Sequence, residues 1–112
     1  MVKPAIGAVV LVPFPFSDLS QAKLRPAIVL AAVGRGDWIL CQGTSNPYAD
    51  NRAITIRKSD FEEGALRVDS YARPGKQFTG QERLMVAEVG RLRGEVLARI
   101  INAVIQIFSP RL

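Results

Sequence analysis

The sequence contains no histidine and only one cysteine, Cys41, among its 112 residues. A single thiol cannot close a disulfide within the chain, and the usual zinc sites lack their ligands. Cys41 sits inside an apolar run, where a thiol reads as a buried, inert packing group rather than a nucleophile. Long hydrophobic runs are missing as well. The longest falls well short of the roughly 20 residues that a membrane helix needs. The opening "MVKPAIGAVVLVPFPF" sets a lysine before apolar residues, as a secretory leader does. Pro13, Pro15 and the polar "SDLS" then follow, where such a leader would carry a small-residue cleavage site. The expectation is a soluble protein of a reducing cytoplasm, with its first strand near the N-terminus. Acidic residues are the scarcer charge: ten against fifteen basic, for a formal net charge of +5.

What is present is enough for one domain with a single modest core, since 48% of the residues are apolar. The basic excess, mostly arginine, suits an anionic partner such as nucleic acid, because the planar guanidinium forks onto phosphate. No internal repeat, linker or low-complexity segment divides the chain.

Valine-rich residues 8–16 read as a strand, and Pro13 and Pro15, which cannot donate to a ladder, place it at an edge or end it irregularly. Residues 26–33 form a second strand, "GRGD" at 34–37 a turn, and residues 38–43 a third strand. A polar loop over 44–51 leads to a short alternating strand at 53–57. "SDFEEG" has a capping-box spacing from Ser59 to Glu62, which predicts one or two helical turns before Gly64. Residues 65–72 and 83–92 read as further strands, separated by a turn or bulge at "RPGK" (73–76) and a brief resumption at "QFTG". The period then changes. Val96, Leu97, Ile100, Ile101, Val104, Ile105 and Phe108 recur at helical spacing, with Gly94 as N-cap and Pro110 as the stop. Short strands followed by one helix predict a strongly bent sheet or small barrel with the helix over an opening.

Two stretches ask for a functional reading. "KLRPAIVL" (23–30) places Arg25 beside a proline at the threshold of a strand. "CQGTSNP" (41–47) ends another strand on two adjacent hydroxyls, Thr44 and Ser45. Taken alone, Arg25 is an ordinary solvated strand-end charge, and Thr44 and Ser45 are turn residues bonding their own backbone.

The blocks "GAVVLVPFPFSDLS", "LRPAIVL", "ILCQGTSN", "RVDSYARPGKQFT" and "VGRL", in that order before an amphipathic helix, together resemble the MazF/PemK toxins of type II toxin–antitoxin systems. The resemblance implies a mainly β fold with a C-terminal helix: a small SH3-like β-barrel of the CcdB/PemK kind, assembled as a homodimer. It implies cleavage of single-stranded mRNA by the neighbouring ribose 2′-hydroxyl, with neither metal nor cofactor. The family's catalytic arginine and threonine map to Arg25 and Thr44, with Ser45 as a further candidate. Lys23, Asn46, Arg52, Arg73 and Lys76 are the expected RNA contacts, and Asp18 stands in the first loop where some members carry a glutamate. The implied partners are an acidic antitoxin and, only within the antitoxin complex, operator DNA, with no membrane. Relatives on the same scaffold that poison DNA gyrase give the alternative, a binding protein that cuts nothing. Those relatives end in a tail with an exposed tryptophan, whereas here the end is "IFSPRL" and the only tryptophan is Trp38. Trp38, within an apolar run, is expected in the core, and Asp69 as a structural acceptor.

Overall fold

The structure, a computed structural model, describes residues 2–15 and 22–109. Seven strands and one helix follow in order: β1 (Ala8–Pro15), β2 (Ala22–Gly34), β3 (Asp37–Thr44), β4 (Ile54–Ile56), β5 (Phe61–Gly64), β6 (Ser70–Gln81), β7 (Ala87–Leu92) and α1 (Gly94–Phe108). The strands form one curled antiparallel sheet in the order β4-β6-β3-β2-β1-β7-β5, the barrel-like fold that the resemblance implies.

The long central hairpin turns where glycine permits it. Gly34 pairs with Asp37, leaving Arg35 (φ 59°) and Gly36 (φ 79°) as the two central residues, both left-handed. That conformation matches the twist of the flanking strands. β1 is an interior strand, yet its prolines are accommodated as the sequence suggests. β7 accompanies β1 only as far as Leu11, so Pro13 and Pro15 face a single neighbour, β2. Beyond that point β1 and β2 continue as a two-stranded arm, because β3 begins pairing with β2 at Ala27.

The central strands bury both faces, which is why they read as continuous apolar runs rather than as alternation. Val9, Ile28, Leu30 and Cys41 point into one cluster, closed by Val96 and Ile100 of α1. Ala8, Val10, Ala27, Val29 and Leu40 point into a second cluster on the opposite side, closed by Met85. Each fully buried branched side chain contributes about 1.5–3 kcal/mol, so the two clusters carry most of the stability. Trp38 is half-buried beside the second cluster, its indole N–H donating to Glu82 at 3.0 Å. Among the described residues no helix is long and apolar enough to cross a membrane.

Two local readings are corrected and one alternative is decided. "SDFEEG" does not form the expected helical turns: a single 3-10 turn at Lys58–Asp60 precedes β5. The carboxylate that bonds back is Asp60, accepting from the Arg57 N–H at 2.8 Å; Phe61 is then buried and draws the chain into pairing with β7. Of the turn or bulge expected at "RPGK", the structure has the bulge. β6 runs through it with three extra residues bulged out, since Cys41 pairs with Gln77 while the next residue, Gln42, pairs with Arg73. Finally, Arg93 rather than Gly94 is the N-cap of α1.

Candidate functional site

The open end of the β2–β3 ladder pairs Ala27 with Gln42. Arg25 lies two residues beyond Ala27 on β2, and Thr44 two beyond Gln42 on β3. Arg25, Thr44 and Ser45 line one cleft of about 380 Å³, floored by Leu11, Leu24 and Pro26. Its far wall is the β5–β6 connection, residues 65–68, together with Val89 and Ser70. Pro26 has a local role: its ring lies against Gly43, where an added Cβ would come within 3.3 Å. The two strands therefore approach closely just behind the two candidate side chains.

The wall is held by main-chain geometry. The Ala65 N–H donates to the Val89 carbonyl at 3.3 Å, and the buried Ser70 hydroxyl donates to the Val68 carbonyl at 3.1 Å. Behind them β5 and β7 touch through glycines. A Cβ on Gly90 would lie 2.6 Å from the Phe61 ring and 2.7 Å from the Glu63 carbonyl. Gly64 has φ 70° and backs onto the Val89 carbonyl, so neither position has room for a side chain.

Thr44 is 3% exposed, and its hydroxyl is engaged by its own loop. It donates to the Asn46 carbonyl at 3.0 Å and accepts from the Asn46 N–H at 3.1 Å. That is the ordinary turn role expected of a strand-end threonine. One oxygen lone pair remains to meet a ligand, and the hydroxyl can rotate to donate only by giving up the Asn46 carbonyl. Ser45 is exposed at the rim, and Arg25 is half-buried.

The sequence-predicted contacts divide around this cleft. Lys23 is exposed on the β1–β2 arm, opposite Phe14. Asn46 is exposed, its side-chain oxygen accepting from the Tyr48 N–H at 2.9 Å. Arg52 is exposed one turn further on, with its N–H on the Asp50 carboxylate at 2.9 Å. Arg73 is turned inward: its Nε meets Asp50 at 3.0 Å, and its guanidinium lies over the Tyr48 ring, 5.5 Å from the centroid. This guanidinium, helped by the Arg52 N–H, holds the Asp50 carboxyl below its ordinary range. Lys76 stands on the bulge beside a separate depression lined by Phe14, Gln42, Gln77 and Phe78. Asp69 is exposed. Asp18 lies outside the described residues.

The structure adds Arg67, which the sequence reading passed over. It is exposed among the residues that line the same cleft as Arg25 and takes part in none of the ion pairs among the described residues. Two guanidinium groups and three hydroxyls, those of Thr44, Ser45 and Ser70, thus border an otherwise apolar cleft. Such a set suits an anion with a planar or apolar body, as a nucleotide is. Cys41, by contrast, is structural. Burial pushes its thiol up to about 12, and Sγ donates to the Arg73 carbonyl at 3.1 Å, a group beside the bulge.

The chain is a curled β-sheet with one C-terminal helix, and two arginines line a cleft beside its central strands. The chain belongs to the family described as the PemK-like, MazF-like toxins of type II toxin–antitoxin systems, whose pattern it matches over residues 5–108. No curated protein matches it significantly in sequence. Among solved structures it is similar to MazF of Deinococcus radiodurans (Form-I), at 21% identity, TM-score 0.74, covering 97% of this chain and 99% of that one. The MazE-MazF complex of the same organism (Form-III) is similar at 18% identity and TM-score 0.75, over 95% of this chain and 96% of that one. So is an endoribonuclease in complex with its cognate antitoxin from a mycobacterial species, at 14% identity and TM-score 0.72, over 97% and 96%. These likenesses establish the fold.

Proposed function

We propose that this toxin is a sequence-specific endoribonuclease that cuts single-stranded mRNA in the cytoplasm without a metal. The observation that carries the reading is that Arg25, Thr44 and Arg67 line one cleft. In metal-free cleavage the 2′-hydroxyl attacks the adjacent phosphorus and the 5′-oxygen leaves, giving a 2′,3′-cyclic phosphate and a new 5′-hydroxyl. No water needs activation. The protein has to hold the hydroxyl in line, spread the charge growing on the phosphorane and pass two protons. Arg25 suits the charge: its guanidinium is permanently ionised and forked for two oxygens. Thr44 offers a neutral oxygen beside it. Neither is a strong base, so proton transfer runs through solvent and the step is slow.

The partners follow from the same reading. A homodimer presents two such clefts, and an acidic antitoxin segment covers them, as antitoxins accompany the toxins in the similar complexes. Operator DNA is met only within that complex. A second reading, a binding protein that cuts nothing, is favoured by one observation: both hydrogen-bonding roles of the Thr44 hydroxyl are already taken by Asn46.

Single-turnover cleavage of a long mixed-sequence RNA in EDTA, with the ends mapped, separates the two. Under the nuclease reading Arg25→Ala lowers the rate by roughly two to three orders of magnitude, the usual loss for one preorganised donor. Arg25→Lys recovers little, because the fork is gone. Combining Arg25→Ala with Thr44→Ala costs less than the product of the single effects, as for residues acting together. Undiminished cleavage by Arg25→Ala overturns the assignment, and absence of cleavage by the parent chain favours the binding reading.

A further inference from the structure

We propose that Tyr48 is a base-stacking platform that positions the RNA strand beside the cleft, an inference that rests on the RNA-directed reading above. Tyr48 belongs to the loop that Thr44 begins, and 58% of its surface is exposed. Its backbone is left-handed (φ 54°), as is that of Ala49 (φ 60°). Two consecutive non-glycine residues in that region are uncommon, and such strain persists only where the surroundings hold it.

Here the surroundings do hold it, from several directions. The Tyr48 N–H donates to the Asn46 side chain at 2.9 Å. The Asp50 N–H donates to the Pro47 carbonyl at 2.9 Å, and the Ala53 N–H to the Asp50 carbonyl at 3.1 Å. Arg73, anchored on Asp50 at 3.0 Å, brings its guanidinium to 5.5 Å from the ring centroid. So a large aromatic ring is fixed in a strained loop with a cation at one side and much of its surface in solvent. Nothing in the core requires this, since Tyr48 belongs to neither apolar cluster.

The arrangement fits a nucleobase. A base stacks on the exposed ring surface, while the guanidinium, paired with Asp50, steadies the ring from within. The loop also ties this platform to the reacting group. Asn46 bonds the Thr44 hydroxyl through its main chain and Tyr48 through its side chain. A base seated on Tyr48 therefore fixes the strand in register with Thr44. Stacking is tolerant of base identity, so the platform sets position rather than sequence.

The test uses short 2′-O-methyl RNA oligonucleotides of mixed sequence, which cannot be cut, each with one abasic position. Binding is read by fluorescence anisotropy. With the parent protein, one abasic position is expected to weaken binding about five- to hundredfold, the range for losing one base–aromatic stack. Tyr48→Asn keeps a residue that accepts the left-handed backbone but removes the ring. It should bind the intact strand as weakly as the parent binds the abasic one, with no further loss on combining the two. Tyr48→Phe should behave as the parent does. Equal abasic sensitivity in the parent and Tyr48→Asn, or no sensitive position at all, overturns the proposal. Parallel cleavage of unmodified RNA keeps the two readings apart. Cutting without Tyr48–base coupling defeats only the platform, and coupling without cutting defeats only the nuclease.

Discussion

Cys41 shows how a residue can be inert towards reagents and still be needed. Its thiol stays protonated to about 12 because burial disfavours the thiolate, whereas in the unfolded chain it ionises near its ordinary value of 9.0. The folded state therefore binds the proton more tightly. Its contribution to stability is complete below pH 9 and is lost as pH rises towards 12. Iodoacetamide at pH 8 should label Cys41 only in denaturant, and rapid labelling of the native protein would contradict this burial. The thiol is also the donor to the Arg73 carbonyl. Cys41→Ala should cost roughly 2 kcal/mol, from lost sulfur contacts and a weakly satisfied carbonyl, seen as a lower melting temperature. Thr44 joins the same class of residue. Its hydroxyl closes the Asn46 turn, so Thr44→Ala should lower stability by about 1 kcal/mol while Thr44→Ser should not. Thermal melting beside the cleavage assay separates that structural loss from the catalytic one.

At the level of elements, the wall of the cleft depends on two strands packed closer than side chains allow. Gly90→Ala places a methyl group against the Phe61 ring and the Glu63 carbonyl. It should destabilise by about 3 kcal/mol, at the upper end for overpacking, because backbone rather than a flexible side chain must move. Chemical denaturation measures this, and a change below about 0.5 kcal/mol would show that β5 shifts freely. The same elements mark where the sequence was hard to read. β1, β2, β3 and α1 were legible because apolar runs, a glycine turn and a 3.6-residue period each have one structural solution. β5 was not: "FEEG" has a single large apolar residue and lies behind a capping pattern, so its strand state comes from pairing with β7. The bulge in β6 was legible as an irregularity at Pro74 and Gly75, but not as a continuing strand, since β3 supplies the partner on both sides. Arg25 and Thr44 were singled out because each stands in a recognisable block, although β2 begins at Ala22, so that Arg25 lies inside the strand, paired with Val12, and not at its threshold. Arg67 and Tyr48 were passed over because their surroundings arise only when distant loops close on the sheet.

For the whole molecule, the outer side of α1 presents apolar surface to solvent. Phe108 is 73% exposed and Ile105 50%, beside a groove lined by Leu30, Ala31, Ile39, Ile101 and Val104. Apolar surface of this extent on a small protein is ordinarily covered by a partner. If a second copy covers it, sedimentation at micromolar concentration gives about twice 12.3 kDa, and Phe108→Glu gives the single-chain mass. A parent chain that sediments as a monomer while still cutting RNA would refute the dimer.

The hydrogen-bonded order starts at β4 and finishes at β5, although these two strands are neighbours along the chain, joined only through the 3-10 turn. The sheet is in effect a cylinder slit lengthwise, with residues 57–60 and the β5–β6 connection, residues 65–69, as the two stitches across the slit. The cleft draws its lining from both banks: Thr44, Ser45 and Ser70 on one, residues 65–68 and Val89 on the other. Any molecule seated there and touching both banks acts as a further stitch. The vacant and the occupied protein would then differ in stiffness before they differ in shape.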